Sequence, residues 1–325
     1  MKKILAMGNA LTDILLQIDN DNTLRQLNLP KGSMQLVDQQ KTNEIKQAIS
    51  THISTMAAGG SASNTANGIA RLGGQAGFFG KIGTDSIGNF FKTDLIHNGV
   101  APHLESSSSD SGQCTVLVSN DGERTLCTFL GAACEVNASD LTPDLFQGYD
   151  IFHIEGYLVQ NHELIRTAVQ MAKQAGLQVS IDLASYNVVA ENKLFLQEIV
   201  EKYIDMVFAN EEEARAFTHA EPLDALEQIA QLCDIAVVKI GKAGSFVKTG
   251  GVRYNIAPVL ANCIDTTGAG DLYAAGFLYG QAMGFAPDKC GNIASLVSAK
   301  VVEVIGAKMP QASWNNINET IKAMN

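Results

Sequence analysis

No run of about 18 apolar residues occurs in this chain, which argues against a membrane-spanning helix. The start, Met1-Lys2-Lys3-Ile4-Leu5-Ala6-Met7, has the charge of a signal peptide but not its core. The apolar stretch dies within a few residues and Asp13 follows, so the segment reads as a first buried strand of a cytoplasmic protein. Positive charge is also short. Lys and Arg number 23 against 34 Asp and Glu, and a net charge of −11 speaks against nucleic acid or an anionic membrane as partner. A phosphorylated ligand stays open, because it needs only local positive potential or a metal. Six cysteines (Cys114, Cys127, Cys134, Cys233, Cys263, Cys290) form no C-x-x-C and no His/Cys cluster. Reduced, mostly buried thiols are expected, and zinc is not.

Two nucleotide signatures are missing as well. There is no G-x-x-x-x-G-K-[ST], which excludes a P-loop enzyme. The G-x-G at Gly268-Ala269-Gly270 has Tyr273 where a dinucleotide fold wants a third glycine. No repeat, low-complexity tract or long linker appears, unless Ser106–Ser109 counts as a loop. With 46% apolar and 18% charged residues, the 325-residue chain can bury a large core, and a single domain over 1–325 is expected.

What is present alternates. Strand-like runs at Lys3–Met7, Ala76–Gly80, Ile151–Glu155, Gln178–Asp182, Met206–Ala209 and Ala236–Ile240 are spaced by helical patterns. Those patterns cover Ser61–Leu72, Ser86–Asn98, His162–Ala175, Asn192–Lys202, Glu211–Phe217 and Leu223–Cys233. Continuous apolar strands between amphipathic helices predict an α/β fold, a mostly parallel central sheet with helices on both faces. Three further helices are predicted at Leu272–Met283, Pro287–Val304 and Ala312–Met324. Two stretches break the rhythm. Residues 15–55 are polar and turn-rich, and 112–130 read as a hairpin, Cys114–Ser119 and Arg124–Phe129, about Asn120-Asp121-Gly122. Together they predict a small β-containing lid on one edge of the core.

The most informative stretch is Ile264-Asp265-Thr266-Thr267-Gly268-Ala269-Gly270-Asp271, with an apolar helix directly after it. A helix start exposes unpaired N–H groups and the positive dipole end, and so can hold an anion. A carboxylate at that point, Asp271, is needed there only to take a proton, as phosphoryl transfer to an alcohol requires. Alone, the four residues could equally be a helix start with an acid on its dipole.

Other constellations carry two readings each. Gly59-Gly60-Ser61-Ala62-Ser63-Asn64 offers close backbone approach to ligand hydroxyls with an amide nearby, or ordinary capping by Ser61. Asn9 and Asp13 follow the first strand, where parallel sheets bind ligands, and suit a polyol or ribose; Asp13 could also be a turn residue. Glu155 and Asp182 each end a buried strand and are placed near the site. Asn210-Glu211-Glu212-Glu213 is explained by the helix dipole, or holds water around Mg²⁺. Lys239-Ile240-Gly241-Lys242-Ala243-Gly244 is a glycine turn that could wrap a nucleotide.

In this order the motifs resemble the ribokinase-like (PfkB) carbohydrate and nucleoside kinases. The resemblance rests on Ala58–Thr65, on Phe79-Gly80-Lys81-Ile82-Gly83-Thr84-Asp85-Ser86-Ile87-Gly88, and on Asp265–Asp271, with Asn210–Glu213 and Gly306–Pro310 in family order. It implies ATP-dependent phosphoryl transfer to a primary hydroxyl of a small-molecule sugar or nucleoside. Asp271 would be the base, and the N–H groups of Gly268, Ala269 and Gly270 the anion hole. Asn9, Asp13, Gly59, Gly60, Asn64 and Glu155 would hold the acceptor. Asn210, Lys239, Gly241, Gly244, Thr266 and Thr267 would meet the nucleotide, with Asn210 and Glu213 organising Mg²⁺ through water. The resemblance leaves room for K⁺ near Asp265–Thr267, and for a monomer or a homodimer.

The segment Leu24–Met34 and the helical Asn43–Ile49 resemble the lid insertion of adenosine kinases, as does the start Met7–Ile14. Glu155 is instead similar to a sugar-contacting Glu of ribokinases. An adenosine kinase-like enzyme is therefore the expectation. A free-sugar kinase acting on ribose, fructose or a keto-deoxy sugar acid is the alternative. A non-catalytic binding protein is a remote one, because Asp271 and its glycine turn are intact.

Overall fold

Buried four- and five-residue runs become strands because both their faces are covered. In the computed structural model, which describes residues 1–324, Ile4, Leu5, Ala6 and Met7 are all inaccessible to solvent. Strands in the first half are β1 (Lys3–Met7), β2 (Leu11–Gln17), β3 (Met34–Leu36), β4 (Ser54–Gly59), β5 (Gln75–Gly83), β6 (Val100–Ser107), β7 (Gly112–Val118) and β8 (Arg124–Phe129). They continue with β9 (Ile151–Glu155), β10 (Gln178–Asp182), β11 (Met206–Asn210), β12 (Ile235–Lys239), β13 (Ser245–Thr249) and β14 (Val252–Ile256).

The main sheet has the order β14-β13-β12-β11-β10-β9-β1-β5-β6. From β6 to β12 every neighbouring pair is parallel, and β13 and β14 turn back antiparallel. Alternate residues feed two cores. Ile4 and Ala6 pack with helices Ser61–Arg71, Ala269–Met283 and Pro287–Val301, while Leu5 and Met7 pack with helices His162–Gln174 and Lys193–Tyr203 on the other face. The chain leaves β1 for β5 and β6 on one side, then returns to build β9 to β12 on the other. The crevice at the carboxyl ends of the strands, beside such a reversal, is where an open α/β sheet binds ligands.

A second sheet of five strands has the order β3-β8-β7-β2-β4. It includes both irregular stretches but starts earlier and ends later than expected, at Leu11 and at Gly59. One face is closed by the helix Gln39–Ala48, whose Ile45 packs with Leu16, Ile18, Leu24, Leu27 and Leu29. The predicted hairpin is present as the antiparallel pair β7 and β8. β2 was not foreseen, because Asp13 in its middle looks like a turn residue. β6 is an edge strand, the position that tolerates its Pro102.

Two expectations need correction. The helix after the glycine turn begins at Ala269 rather than Leu272, so Asp271 lies within its first turn. The thiols are all free, but only Cys114, Cys127 and Cys290 are buried; Cys134 and Cys263 are exposed. Among the described residues no helix is long and apolar enough to cross a membrane.

Candidate active site

Polar residues converge at the carboxyl ends of adjacent strands. Asn9 follows β1, Glu155 ends β9, Asp182 ends β10, Asn210 ends β11 and Lys239 ends β12. Two helices aim their amino ends at the same crevice. Gly60 precedes Ser61–Arg71 with φ +85°, and Gly268 precedes Ala269–Met283 with φ +77°; both lie in the left-handed region that glycine enters without penalty. A side chain at Gly60 would strike the Asn9 carbonyl, and one at Gly59 would strike the Asp13 carboxylate.

Asp271 joins the two helix starts. Its Oδ1 accepts from Ser61 Oγ at 2.8 Å and its Oδ2 from Asn64 Nδ2 at 3.0 Å, while its carbonyl accepts from Thr65 Oγ1 at 3.1 Å. Ser61 therefore does not cap its own helix; Gly60 occupies the cap position. Burial raises the Asp271 carboxyl above its ordinary value, against the opposing hydrogen bonds from Asn64 and Ser61. The N–H of Ala269 is spent on the Thr266 carbonyl at 3.1 Å and that of Leu272 on Gly268. Among the described residues, the donors left open at this helix start are those of Gly268, Gly270 and Asp271, not the expected trio. A Cβ at Gly270 would stand 3.2 Å from Lys239 Nζ, so the ammonium lies against the open cradle. Lys239 in turn donates to Asp182 Oδ2 at 2.8 Å. Burial pulls the Lys239 ammonium down, but Asp182 and Glu213 more than offset this and hold it above the usual lysine value. Open N–H groups beside a buried ammonium fit a phosphate.

Glu155 is 2% exposed and makes contacts inside the protein. Its Oε1 accepts from Asn9 Nδ2 at 2.6 Å and Asn9 N at 3.3 Å, and its Oε2 accepts from Ala62 N at 3.1 Å. It ties the end of β1 to the start of the Ser61 helix. Burial pushes its carboxyl up to about 7. Asn210 and Glu213 satisfy each other in a reciprocal cap: Glu213 accepts from Asn210 N at 2.8 Å and Nδ2 at 2.6 Å, and Asn210 Oδ1 accepts from Glu213 N at 2.9 Å. Among the described residues no group of three or more His, Cys, Asp or Glu side chains is arranged to hold a metal. Gly241 and Gly244 lie in the turn between β12 and β13, just past Lys239, with Ile240 N bonded to the Gly244 carbonyl at 2.9 Å. Thr266 is exposed on the loop before Gly268.

Asp13 sits within β2, not in a turn, and burial raises its carboxyl to about 6. Strand register puts Asp13, Cys114, Thr128 and Leu36 in one row of the small sheet. Leu15, Val116, Leu126 and Met34 form the next row on the same face, and Val118 and Arg124 follow. Arg124 donates to Asp265 and, at 2.7 Å, to Thr267 Oγ1. Asp265, 4% exposed, also accepts from Thr267 N at 2.8 Å and Gly306 N at 2.7 Å. The face bearing Asp13 thus turns toward the loop that carries Gly268, with an apolar strip between Asp13 and Arg124.

Sequence patterns gave no role to Arg124, Tyr157 or Lys308, although Lys308 lies in the Gly306–Pro310 element. Arg124 opens the second strand of the hairpin, where nothing local marks a contact to residues 265–267. Tyr157, 41% exposed, faces the carboxylates of Glu155 and Asp271; burial first, then those charges, push its phenol up to about 12. Its position directly after Glu155 was the available signal.

The pfkB family carbohydrate kinase model matches residues 33–314. A probable sugar kinase from Rhizobium etli shares 31% identity, with a TM-score of 0.86 over 99% of this chain and 98% of that one. The adenosine kinase of Sinorhizobium meliloti shares 32%, with a TM-score of 0.85 over 98% and 99%. Adenosine kinase 2 of Arabidopsis thaliana is 26% identical over 95% of this chain and 96% of its own. The crevice, the helix-borne carboxylate and the glycine cradle stand on the fold that these kinases share, and the chain belongs to the pfkB family of carbohydrate kinases.

Proposed function

We propose that the protein transfers the γ-phosphoryl group of ATP to the primary hydroxyl of a nucleoside, with Asp271 as general base. The observation that carries this reading is the pairing of Asp271 with open N–H donors and the Lys239 ammonium at one helix start. Each Asp271 oxygen accepts one protein hydrogen bond and keeps a lone pair for an incoming hydroxyl. As the proton passes to Asp271, the acceptor oxygen bonds the γ-phosphorus and the bond to the ADP oxygen breaks. The N–H groups of Gly268 and Gly270 and the Lys239 ammonium stabilise the charge on the phosphoryl oxygens. Mg²⁺ would accompany the nucleotide and neutralise its phosphates; the Asn210–Glu213 pair, already bonded to each other and with Glu213 buried, would meet it only through water. The Arg124 guanidinium competes with any K⁺ for Asp265 and Thr267.

A nucleoside is preferred over a free sugar because of the apolar strip beyond Asp13. Leu126, Val116 and Leu15 form it, and the 61%-exposed Met34 and 68%-exposed Leu36 extend it. A free sugar has hydroxyls all round and leaves such a wall unused; a base covers it. Asn9, Asp13, Gly59, Gly60 and Asn64 supply the ribose contacts, and Glu155 braces Asn9 rather than reading the sugar itself. The whole chain acts as one domain with the small sheet as its lid.

The test is ADP release from Mg·ATP across adenosine, inosine, other nucleosides, ribose, fructose and keto-deoxy sugar acids. Turnover on a nucleoside supports the reading. Turnover on free sugars alone would replace it with the sugar-kinase alternative.

A further inference from the structure

Behind the acceptor pocket lies a lysine that the proposed chemistry leaves unused. Gly306 is bonded to Asp265 through its N–H, and Ala307 packs on Gly268, where a Cβ would fall 2.5 Å from the Ala307 Cβ. The next residue, Lys308, is thereby fixed against the catalytic loop, and its Nζ is enclosed by protein with no hydrogen-bond partner. Burial lowers this ammonium below the usual lysine value, the surrounding carboxylates oppose that, and an apolar side chain would fill the space at less cost.

The charges that face this ammonium come from four elements. They are Asp94 of helix Ser86–His97, Asp13 of β2, Asp271 of helix Ala269–Met283 and Arg71 of helix Ser61–Arg71. Asp94 is already engaged with Ala58 N at 3.0 Å, and Asp271 with Ser61 and Asn64. Among the described residues no protein hydrogen bond reaches the Asp13 carboxylate, so its lone pairs are free for a ligand. Burial and the Asp271 charge both disfavour ionised Asp13, whose register partner on β7 is Cys114; Lys308 is the group that opposes them.

We propose that Lys308 is a positioning residue of the acceptor site, the counter-charge that keeps Asp13 a carboxylate and therefore an acceptor for substrate hydroxyls. The proposal rests on the kinase reading for the identity of that substrate. The coupling of the two side chains does not.

The test is the titration of the Asp13 carboxyl carbon, followed by carbon-13 NMR in ligand-free protein. In Lys308→Met the midpoint is expected to lie about one pH unit or more above wild type, while Lys308→Arg keeps it. The acid limb of kcat/KM for the acceptor moves with it, about fivefold lower near pH 6 and about tenfold lower below pH 5, with the KM for ATP unchanged. An unmoved Asp13 midpoint in Lys308→Met would overturn the proposal. Should that variant not fold, Asp13→Asn tests the pair from the other side. Loss of the Asp13 charge lowers the midpoint of the Lys308 ammonium, and no change overturns the coupling. A wild-type protein that phosphorylates no acceptor would defeat the kinase reading, while both titrations would still decide the pair.

Discussion

Asn9 donates both its backbone and its side-chain N–H to one carboxylate oxygen of Glu155, at 3.3 and 2.6 Å. The other oxygen holds the first turn of the Ser61 helix through Ala62 N. A glutamine there keeps one acceptor oxygen and turns an amide donor against either Asn9 or Ala62. Glu155→Gln is therefore expected to cost about 1–3 kcal/mol of stability at pH 8. It should also lower turnover on every acceptor, because the helix bearing Ser61 and Asn64 shifts. Denaturant unfolding and kinetics across acceptors check this. A selective loss on free sugars with stability unchanged would make Glu155 a sugar contact instead.

Arg124 is the side chain by which the small sheet reaches the loop before Gly268. Arg124→Ala removes its bonds to Asp265 and Thr267 and loosens the closed arrangement. An open site lets water compete with the acceptor hydroxyl. The expected result is slower transfer and a larger share of ATP hydrolysed without acceptor, measured as ADP formed per phosphorylated product. A ratio that stays at one, with wild-type transfer, would deny the sheet a closing role.

The apolar strip gives a substrate-specific prediction. Leu126→Asp places a charge where the base would lie, and should raise the KM for nucleosides by tenfold or more, about 1.4 kcal/mol. Any turnover on a free sugar should barely change. Equal effects on both classes would remove the argument for a base wall.

Stability should fall as pH rises from 5 to 8. Burial raises the carboxyls of Glu155 and Glu213 to about 7 and that of Asp13 to about 6. The folded state therefore holds protons that the unfolded chain has released, and unfolding becomes easier through this window. His153 works the other way below its ordinary value, since burial lowers it to about 4 and it folds neutral. The carboxylates outnumber it. Unfolding free energies at pH 5, 6, 7 and 8 check the sign, and a rise across the series would contradict these assignments.

Much of this was legible in residues. Lys3–Met7 and Ile151–Glu155 are apolar runs too short for helices, and both formed strands with the bounds their composition suggests. The Gly268–Asp271 turn announced an anion cradle next to a carboxylate because glycine and a helix start leave few other uses for that arrangement. The lid was harder. β2 and β4 are paired by a long-range register that local propensity does not encode, and Asp13 gains its meaning only when Gly59 packs against it. The partners of buried charges were least legible. Nothing near Glu155 in the chain says that it will brace Asn9, nor that Lys308 will end with an unpartnered ammonium.

The central claim is that Asp271 accepts the proton of an acceptor hydroxyl as it is phosphorylated. The most direct measurement is formation of nucleoside monophosphate from adenosine and Mg·ATP by wild type and Asp271→Asn, with ATP affinity measured in parallel. Asp271→Asn is predicted to bind ATP nearly as wild type does and to turn over about 10²–10⁴-fold more slowly. Near-wild-type turnover in that variant would contradict the account.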